Sequence, residues 1–326
     1  MRRVGAAVGE VWARAPITAS ARLGAALLPV VVLSALLVGC KTSCPSGDRA
    51  GAVRASAGRA LGGPRPAELR VPRRYDAARP WPLLVLLHGY GGDGASQLEA
   101  LGFSYLVDEV GVLLLAPDGT LDSVGHRFWN ASDACCNFDR KGVDDVAYLA
   151  GLVEETARRY RVDRARVYAV GFSNGGFMAH RLACERSALF SGIVSLAGAA
   201  PPARTRCAPS EPVGVLQIHG LADEIVRYAG GRDLLSRGGP SYPGARASIA
   251  RWAELDGCEK GAPTVGARFD LDHFIPGAET VPERHRACRG GTGVELWSMH
   301  GGGHSVGGGE AFARQVYDWL EAHRRK

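Results

Sequence analysis

The sequence predicts an α/β protein with a mostly parallel central sheet and helices on both of its faces. Continuous apolar runs of strand length occur at residues 82–87 and 112–116, and such runs are typical of parallel strands that are covered on both sides. Amphipathic stretches such as residues 143–160 alternate with these runs, and this alternation indicates a parallel sheet. The chain has 326 residues, of which 46% are hydrophobic, and this is enough for one large core.

The N-terminal segment predicts export. Arginines precede an uncharged apolar run at residues 23–39, which is the order of the n-region and h-region in a secretory signal. The run ends in Leu37-Val38-Gly39-Cys40. This ending resembles the lipobox of bacterial lipoproteins, in which the cysteine is lipidated and becomes the first residue of the mature chain. The alternative is an uncleaved anchor helix, since the run is just long enough to span a bilayer.

These features divide the chain into three segments. We expect a lipoprotein-type signal peptide at residues 1–39, a flexible tether at residues 40–66 and one α/β domain at residues 67–326. The tether is rich in Gly, Ala, Ser, Arg and Pro, as is typical of flexible linkers. The formal net charge of +6 is too small and too scattered to indicate a nucleic-acid partner. We expect the protein to contact the membrane through the lipid on Cys40. The alternative is a mature protein that is free in the periplasm or outside the cell.

A serine turn lies at the centre of the predicted domain. Gly171-x-Ser173-x-Gly175 follows the apolar run at residues 167–170 and precedes an amphipathic stretch. This is the pattern of a nucleophile elbow, in which small neighbours let strand and helix approach and lift the serine hydroxyl above the sheet. The same pattern surrounds Ser305, but the glycine-rich chain there is too flexible to hold a strained turn. We therefore predict that Ser173 is a nucleophile; the alternative is a Gly-rich turn without chemistry.

An acid and a histidine follow later strands. Asp223 comes just after a predicted strand, where the orienting acid of a catalytic triad belongs, and Glu224 is the weaker alternative. His304 follows the last predicted strand on a glycine loop that lets its ring reach the serine, and His300 is the weaker alternative. Ser173, Asp223 and His304 stand in the chain order that α/β-hydrolase triads have.

Backbone N–H groups that could stabilise an oxyanion are expected in two turns. Residues 88–92, His-Gly-Tyr-Gly-Gly, directly follow a buried run, and glycines there allow N–H groups to turn toward a ligand. We predict that the N–H groups of Tyr90 and Asn174 form the oxyanion hole. His88 is expected to brace this loop and not to act as a base, because it precedes the serine in the chain. The alternative for the loop is a plain Gly-rich turn.

The long loop at residues 117–142 is expected at the same edge of the sheet, because it follows the carboxyl end of a strand. Trp129 in this loop is a candidate for packing an acyl or aromatic group of a substrate, and a loop-anchoring role is left open. Asp144 and Asp145 are expected in the first turn of a helix, where carboxylates complement the helix dipole. The His and Cys residues lack zinc spacing, so we expect no metal and no cofactor.

Taken together, residues 67–326 resemble the esterases related to polyhydroxybutyrate depolymerases and feruloyl esterases within the α/β-hydrolase fold. The resemblance implies an exported serine carboxylester hydrolase that acts through a Ser-His-Asp triad and an acyl-enzyme on a small ester or a polymer chain end. The Trp-Pro that this family often carries after its histidine is replaced by Val306-Gly307. The motifs that carry the resemblance are His88-Gly89-x-Gly91-Gly92, Trp129-Asn130 with Cys135-Cys136, Gly171-x-Ser173-Asn174-Gly175-Gly176, His219-Gly220-x-x-Asp223 and Gly301-Gly302-Gly303-His304.

Three other functions remain open from the sequence. The nearest is a feruloyl or acetylxylan-type esterase, because the shared motifs do not define the ester. A serine peptidase is a second possibility, since related folds cleave peptides. The third is a non-catalytic surface lipoprotein that uses the fold for binding, and the complete Ser173, Asp223 and His304 set argues against it.

The cysteines predict disulfides, because the chain has eight cysteines and is expected to be exported. Cys184 is expected at the end of the helix after the serine turn, and Cys207 precedes a strand, so both should lie at one edge of the sheet. Cys258 and Cys288 are placed similarly, after a helix and before the last strand. We predict that these four residues form two disulfides, although spacing alone leaves the connectivity open.

Overall fold

A computed structural model describes residues 61–202, 207–232 and 240–326. The predicted signal peptide and Cys40 lie outside these residues. The helices are α1 (Gly94–Ala100), α2 (Asp145–Arg159), α3 (Asn174–Glu185), α4 (Ala245–Leu255) and α5 (Glu310–His323), with a π-helical turn at Val107–Gly111 and a 3₁₀ turn at Arg289–Gly291. The strands are β1 (Ala67–Arg70), β2 (Trp81–Leu87), β3 (Leu113–Pro117), β4 (Thr120–Leu121), β5 (Arg127–Phe128), β6 (Val162–Phe172), β7 (Gly192–Leu196), β8 (Gly214–Gly220), β9 (Gly230–Gly231), β10 (Tyr242–Pro243), β11 (Thr264–Val265), β12 (Thr280–His285) and β13 (Val294–Met299).

The central sheet has nine strands in the order β1-β3-β2-β6-β7-β8-β13-β12-β11. The six strands from β3 to β13 in that order pair in parallel. The outer strands β1, β12 and β11 pair in antiparallel fashion. The sheet is therefore mostly parallel, as the sequence predicts.

Two hydrophobic clusters cover the two faces of this sheet. Leu83, Val85 and Leu87 of β2 belong to the cluster that includes buried side chains of α2, α3 and α4. Leu84 and Leu86 of the same strand belong to the other cluster, with α1 and α5. Successive strand residues point to opposite faces, so a run that is apolar at every position needs helices on both sides. This confirms the predicted fold class.

The parallel strands set the position of the site. Strands β2, β6, β8 and β13 run in the same direction, so their carboxyl ends meet at one edge of the sheet. The loops that leave that edge begin after Leu87, Phe172, Gly220 and Met299. In open α/β sheets this edge is where ligands bind.

The described domain begins before the predicted boundary at residue 67. Leu61 is buried and forms a β-bridge with Ala67, and Arg65 forms an ion pair of 2.7 Å with the buried Asp145. The Arg65 guanidinium also lies 3.3 Å from the ring centroid of Tyr148. Residues 61–66 are thus packed against the domain and are not part of a tether, because Leu61 and Arg65 have specific partners that composition alone does not reveal.

The structure contains three disulfides in its described part. Cys184 pairs with Cys207 and Cys258 pairs with Cys288, so the four cysteines form two disulfides as predicted, with the connectivity that the sequence left open. The third joins the adjacent residues Cys135 and Cys136 and was not predicted. Three disulfides suit an oxidising, extracellular compartment. Within the described ranges, no helix combines the length and the apolar character that a bilayer span requires.

Candidate active site

Ser173 stands on a strained turn between β6 and α3. It is the N-cap of α3 with φ of +52° and ψ of −116°, a conformation that residues with a Cβ rarely adopt and that tends to mark functional sites. A Cβ on Gly171 would lie 2.0 Å from the Gly175 carbonyl oxygen, and one on Gly175 would lie 2.3 Å from the Leu87 carbonyl oxygen. Both flanking positions of Ser173 therefore require glycine, because strand and helix approach this closely.

The structure brings the three predicted triad residues together. The Ser173 Oγ lies 3.0 Å from His304 Nε2, and His304 Nδ1 lies 2.9 Å from Asp223 Oδ2. Because a carboxylate only accepts, Nδ1 carries the proton and Nε2 is free to accept from the serine hydroxyl. The two alternatives, Glu224 and His300, are both exposed and take no part in this chain of hydrogen bonds.

Asp223 is fixed by four groups. Its Oδ1 accepts from the Ile225 N–H and the Val226 N–H, each over 2.9 Å, and its Oδ2 faces His219 and His304. Burial alone would raise the pKa of Asp223, but the hydrogen bonds from His219 and His304 lower that pKa below its ordinary value. The carboxylate is thus charged and oriented toward His304 near neutral pH.

Two backbone N–H groups remain available beside Ser173. Among the described residues, neither the Tyr90 N–H nor the Asn174 N–H has a hydrogen-bond acceptor. His88 braces the loop before Tyr90, as predicted: its Nδ1 donates to the Gly89 carbonyl over 2.7 Å, and its Nε2 accepts from the Gly119 N–H over 2.9 Å. Burial lowers the pKa of His88, which keeps its ring neutral and suited to this pair of bonds.

A pocket of about 290 Å³ opens above Ser173. Its walls are mostly apolar. They include Ile225, a large apolar side chain that is 41% exposed. The size and the apolar walls suit a small apolar group. The lining residues are Gly89, Tyr90, Cys135, Cys136, Phe172, Ser173, Phe177, Ile225, Val226, His304 and Ser305.

Trp129 does not line this pocket, which corrects the expectation that it packs against substrate. Its side chain is fully buried, and its Nε1 donates to the His88 carbonyl over 3.0 Å. Its ring packs 5.1 Å from the His88 ring, centroid to centroid. Trp129 therefore anchors the loop, because its indole N–H finds its acceptor inside the core.

Sequence reasoning missed part of the pocket wall. The Cys135–Cys136 disulfide and Phe177 line the pocket, whereas the sequence singled out only the pair of cysteines as a family motif. Adjacent cysteines in a chain that is expected to be exported were the available signal. Phe177 gave none, because a helical apolar residue is more often part of the core.

The structure describes no metal centre. In the three described ranges, no group of three or more His, Cys, Asp or Glu side chains has a geometry that could hold a metal ion. Ser173, His304, Asp223 and the two N–H groups beside Ser173 are arranged in a geometry that acyl transfer could use.

Known proteins match this chain in sequence and in fold. A family described as Phospholipase/Carboxylesterase matches residues 75–235. Feruloyl esterase B of Piromyces equi is 27% identical over 252 residues, which are 74% of this chain and 43% of that protein. The NocK protein of Nocardia uniformis subsp. tsuyamanensis, which carries a provisional esterase name, is 31% identical over 237 residues, 70% of this chain and 66% of NocK. The chain thus spans less than two thirds of either relative.

A solved structure agrees with the fold. The acetyl xylan esterase from Aspergillus awamori superimposes with a TM-score of 0.57 and 16% identity, over 79% of this chain and 94% of that one. The fold and the serine turn define an α/β-hydrolase. In sequence, the chain is similar to esterases of that superfamily.

Proposed function

We propose that the protein is a serine carboxylester hydrolase with Ser173 as nucleophile, His304 as general base and Asp223 as orienting acid. The observation that carries this proposal is the unbroken hydrogen-bond chain from Ser173 Oγ through His304 to Asp223 Oδ2, with steps of 3.0 Å and 2.9 Å, at the floor of an apolar pocket.

In the first half of the reaction, Ser173 Oγ forms a bond to the carbonyl carbon of the ester while its proton passes to His304 Nε2. The carbonyl oxygen gains the negative charge and accepts hydrogen bonds from the Tyr90 and Asn174 N–H groups. When the tetrahedral intermediate collapses, the bond to the alcohol oxygen breaks and His304 gives its proton to that oxygen. The product is an acyl-enzyme on Ser173.

In the second half, water replaces the alcohol. His304 takes a proton from the water as the water oxygen attacks the acyl carbon, and then returns it to Ser173 Oγ as the acid leaves. Asp223 keeps the imidazole in the tautomer with Nδ1–H and stabilises the imidazolium that forms in both halves.

For the substrate, we propose an ester with a compact acyl group, from a small molecule or a polymer chain end. A polyhydroxybutyrate depolymerase-like activity follows from the motif resemblance. A feruloyl or acetylxylan-type activity is the alternative, and the names of the relatives support it. Release of 3-hydroxybutyrate from oligomers, ferulate from methyl ferulate and acetate from acetylated xylan, measured side by side, separates these activities.

The deciding experiment is hydrolysis of short p-nitrophenyl acyl esters by the full chain and by Ser173→Ala. We expect the variant to lose activity by roughly 10³-fold or more, as is usual when such a nucleophile is removed. Ser305→Ala is the matched control, because Ser305 stands in the same Gly-x-Ser-x-Gly pattern and should lose far less. Equal activity in the wild type and Ser173→Ala would overturn the assignment.

We further propose that the protein is exported and anchored through a lipid on Cys40. The apolar run before Cys40 and the three disulfides support this proposal. Mass spectrometry of the membrane-associated protein should find a lipidated N-terminal Cys40, and Cys40→Ser should lose that lipid. A protein that keeps residues 1–39 and stays in the membrane after Cys40→Ser would instead indicate an uncleaved anchor helix.

A further inference from the structure

A row of buried polar side chains lies beneath the triad. His180 of α3 and Gln217 and His219 of β8 are each at most 1% exposed. They join Trp252 of α4 to Asp223 through consecutive hydrogen bonds. Buried polar groups that are fully paired tend to specify one arrangement of a core, so the direction of each bond in this row carries information.

The donor and acceptor of each hydrogen bond can be assigned from the Trp252 end of the row. An indole N–H can only donate, so Trp252 Nε1 donates to His180 Nδ1 over 2.9 Å. His180 must then carry its proton on Nε2, and it donates to Gln217 Oε1 over 2.9 Å. Burial lowers the pKa of His180 to about 4, which keeps the ring neutral in this tautomer near pH 7.

The direction is fixed again at Gln217. Its Nε2 lies 2.9 Å from the Gly198 carbonyl oxygen, which can only accept, so the two ends of the amide cannot be exchanged. The same Nε2 lies 3.1 Å from His219 Nδ1. An amide nitrogen only donates, and therefore His219 Nδ1 accepts.

The last step reaches the acid of the triad. His219 Nε2 lies 2.6 Å from the Val226 carbonyl oxygen and 3.3 Å from Asp223 Oδ2. The Val226 carbonyl oxygen can only accept, and Oδ2 can only accept when Asp223 is ionised. The His219 Nε2–H is therefore shared between these two oxygens. His219 and His304 thus face the same carboxylate oxygen, one from beneath the site and one from the substrate side.

We propose that His219 is a positioning residue of the reaction, which holds the ionised Asp223 carboxylate toward His304 in a tautomer set by the row Trp252, His180 and Gln217. The proposal rests on the hydrolase function proposed above. His180 lies on the helix that begins after Ser173. The row and the triad together therefore link that helix to the Asp223 loop through hydrogen bonds, and the backbone of α3 closes the circuit.

The consequence is a specific pH dependence. The titratable and charged groups that face the row are His304 beside Asp223, Tyr228 edge-on against the His219 ring at 5.7 Å, and Arg251, whose charge acts on His180. Without the His219 N–H, the Asp223 charge is less stabilised and attracts an imidazolium at His304 more strongly. The protonated, inactive form should then persist to higher pH.

Two variants separate positioning from packing. His219→Met keeps the volume and removes the N–H, whereas His219→Gln keeps an amide N–H that can reach the same oxygens. In His219→Met, the acidic limb of the kcat/KM profile for a p-nitrophenyl ester should move up by roughly one pH unit, the effect of one hydrogen bond to a charged group. In His219→Gln the limb should stay within a few tenths of a unit of the wild type. A profile for His219→Met that does not move would overturn the proposal.

A second measurement does not depend on activity or on a variant that folds. Nitrogen-15 NMR of the histidine rings in the wild-type chain reports which nitrogen carries the proton. We expect His219 and His180 both as the Nε2–H tautomer. A His219 ring with its proton on Nδ1 would overturn the proposal, even if the esterase activity were present. An inactive wild type with both rings as Nε2–H would instead leave the row intact and refute the proposed hydrolase function.

Discussion

The side chain of Asn174 pairs with the backbone of Trp129. The Trp129 N–H donates to Asn174 Oδ1 over 2.6 Å, and Asn174 Nδ2 donates to the Trp129 carbonyl over 3.0 Å. Both residues are fully buried. The residue proposed to offer its own N–H to the oxyanion therefore also ties the loop that carries Cys135 and Cys136 to the serine turn.

Asn174→Ala should uncouple that loop. The substitution leaves the Trp129 N–H and carbonyl buried without their partner, and an unpaired buried group costs about 1–3 kcal/mol. We expect the free energy of unfolding, measured in urea, to fall by about 2 kcal/mol, and KM for a p-nitrophenyl ester to rise because a pocket wall loosens. A loss of less than about 0.5 kcal/mol with an unchanged KM would contradict this role.

Glycine at position 171 is required sterically, and the structure offers a matched control. A Cβ at Gly171 would lie 2.0 Å from a backbone oxygen, whereas a Cβ at Gly151 on the exposed face of α2 would meet nothing within 4 Å. Gly171→Ala should displace the serine turn, abolish most activity and lower thermal stability. Gly151→Ala should instead raise the free energy of unfolding by up to about 1 kcal/mol, since alanine favours the helix. Similar stability changes in both variants would contradict the steric argument.

The sequence predicted the residues that follow strands and missed those that depend on packing between elements. Ser173, Asp223 and His304 were predictable because parallel strands end at one edge, so three separate loops must converge there. Gln217 and His219 share a face of β8 by simple alternation. Their partners His180 and Trp252 lie on helices, and the rotation of a helix against a sheet is set by tertiary packing that one sequence does not display.

Two other differences have the same physical cause. Trp129 was expected at the pocket or as a loop anchor. The side chain turns toward whichever acceptor its indole N–H finds, and the buried His88 carbonyl oxygen is that acceptor. Leu61 was assigned to a tether by composition, yet a single apolar side chain and one ion pair from Arg65 suffice to hold a short segment.

Asp256 should make stability depend on pH. Burial raises its pKa to about 7, against an opposing effect of hydrogen bonds from the Val213 N–H and Thr292 and of the Arg289 charge. A carboxyl whose pKa is higher in the folded state stabilises the fold below its unfolded pKa, near 4, and this contribution is lost as the pH rises through 7. The free energy of unfolding should therefore be about 4 kcal/mol lower above pH 7 than below pH 4, because the pKa of Asp256 differs by about three units between the folded and unfolded states.

Asp256→Asn isolates that contribution. The amide cannot titrate, so the free energy of unfolding of the wild type should decrease relative to the variant between pH 4 and pH 8, measured by urea denaturation at several pH values. His180 has the opposite effect on stability, because its pKa is lowered to about 4 and its contribution to the free energy of unfolding is lost as the pH falls below 6.5. His180 is present in both proteins, so its contribution cancels when the wild type is compared with the variant. A constant difference across this range would show that Asp256 is ionised in the folded protein.

Two of the disulfides should have different roles, one in the stability of the fold and the other in the shape of the pocket. Cys184 and Cys207 are 23 residues apart, so their disulfide restricts the unfolded chain, and replacing both with Ala should cost about 3 kcal/mol in the free energy of unfolding. Cys135 and Cys136 are adjacent and close almost no loop, but they line the pocket above Ser173. Replacing both with Ala should therefore change stability little and raise KM for a p-nitrophenyl ester at nearly constant kcat. Both double variants are measured by thermal denaturation and by kinetics, and we expect mainly a stability loss in the first and mainly a change of KM in the second. A large stability loss with unchanged KM for the adjacent pair would contradict the assignment of that pair to the pocket wall.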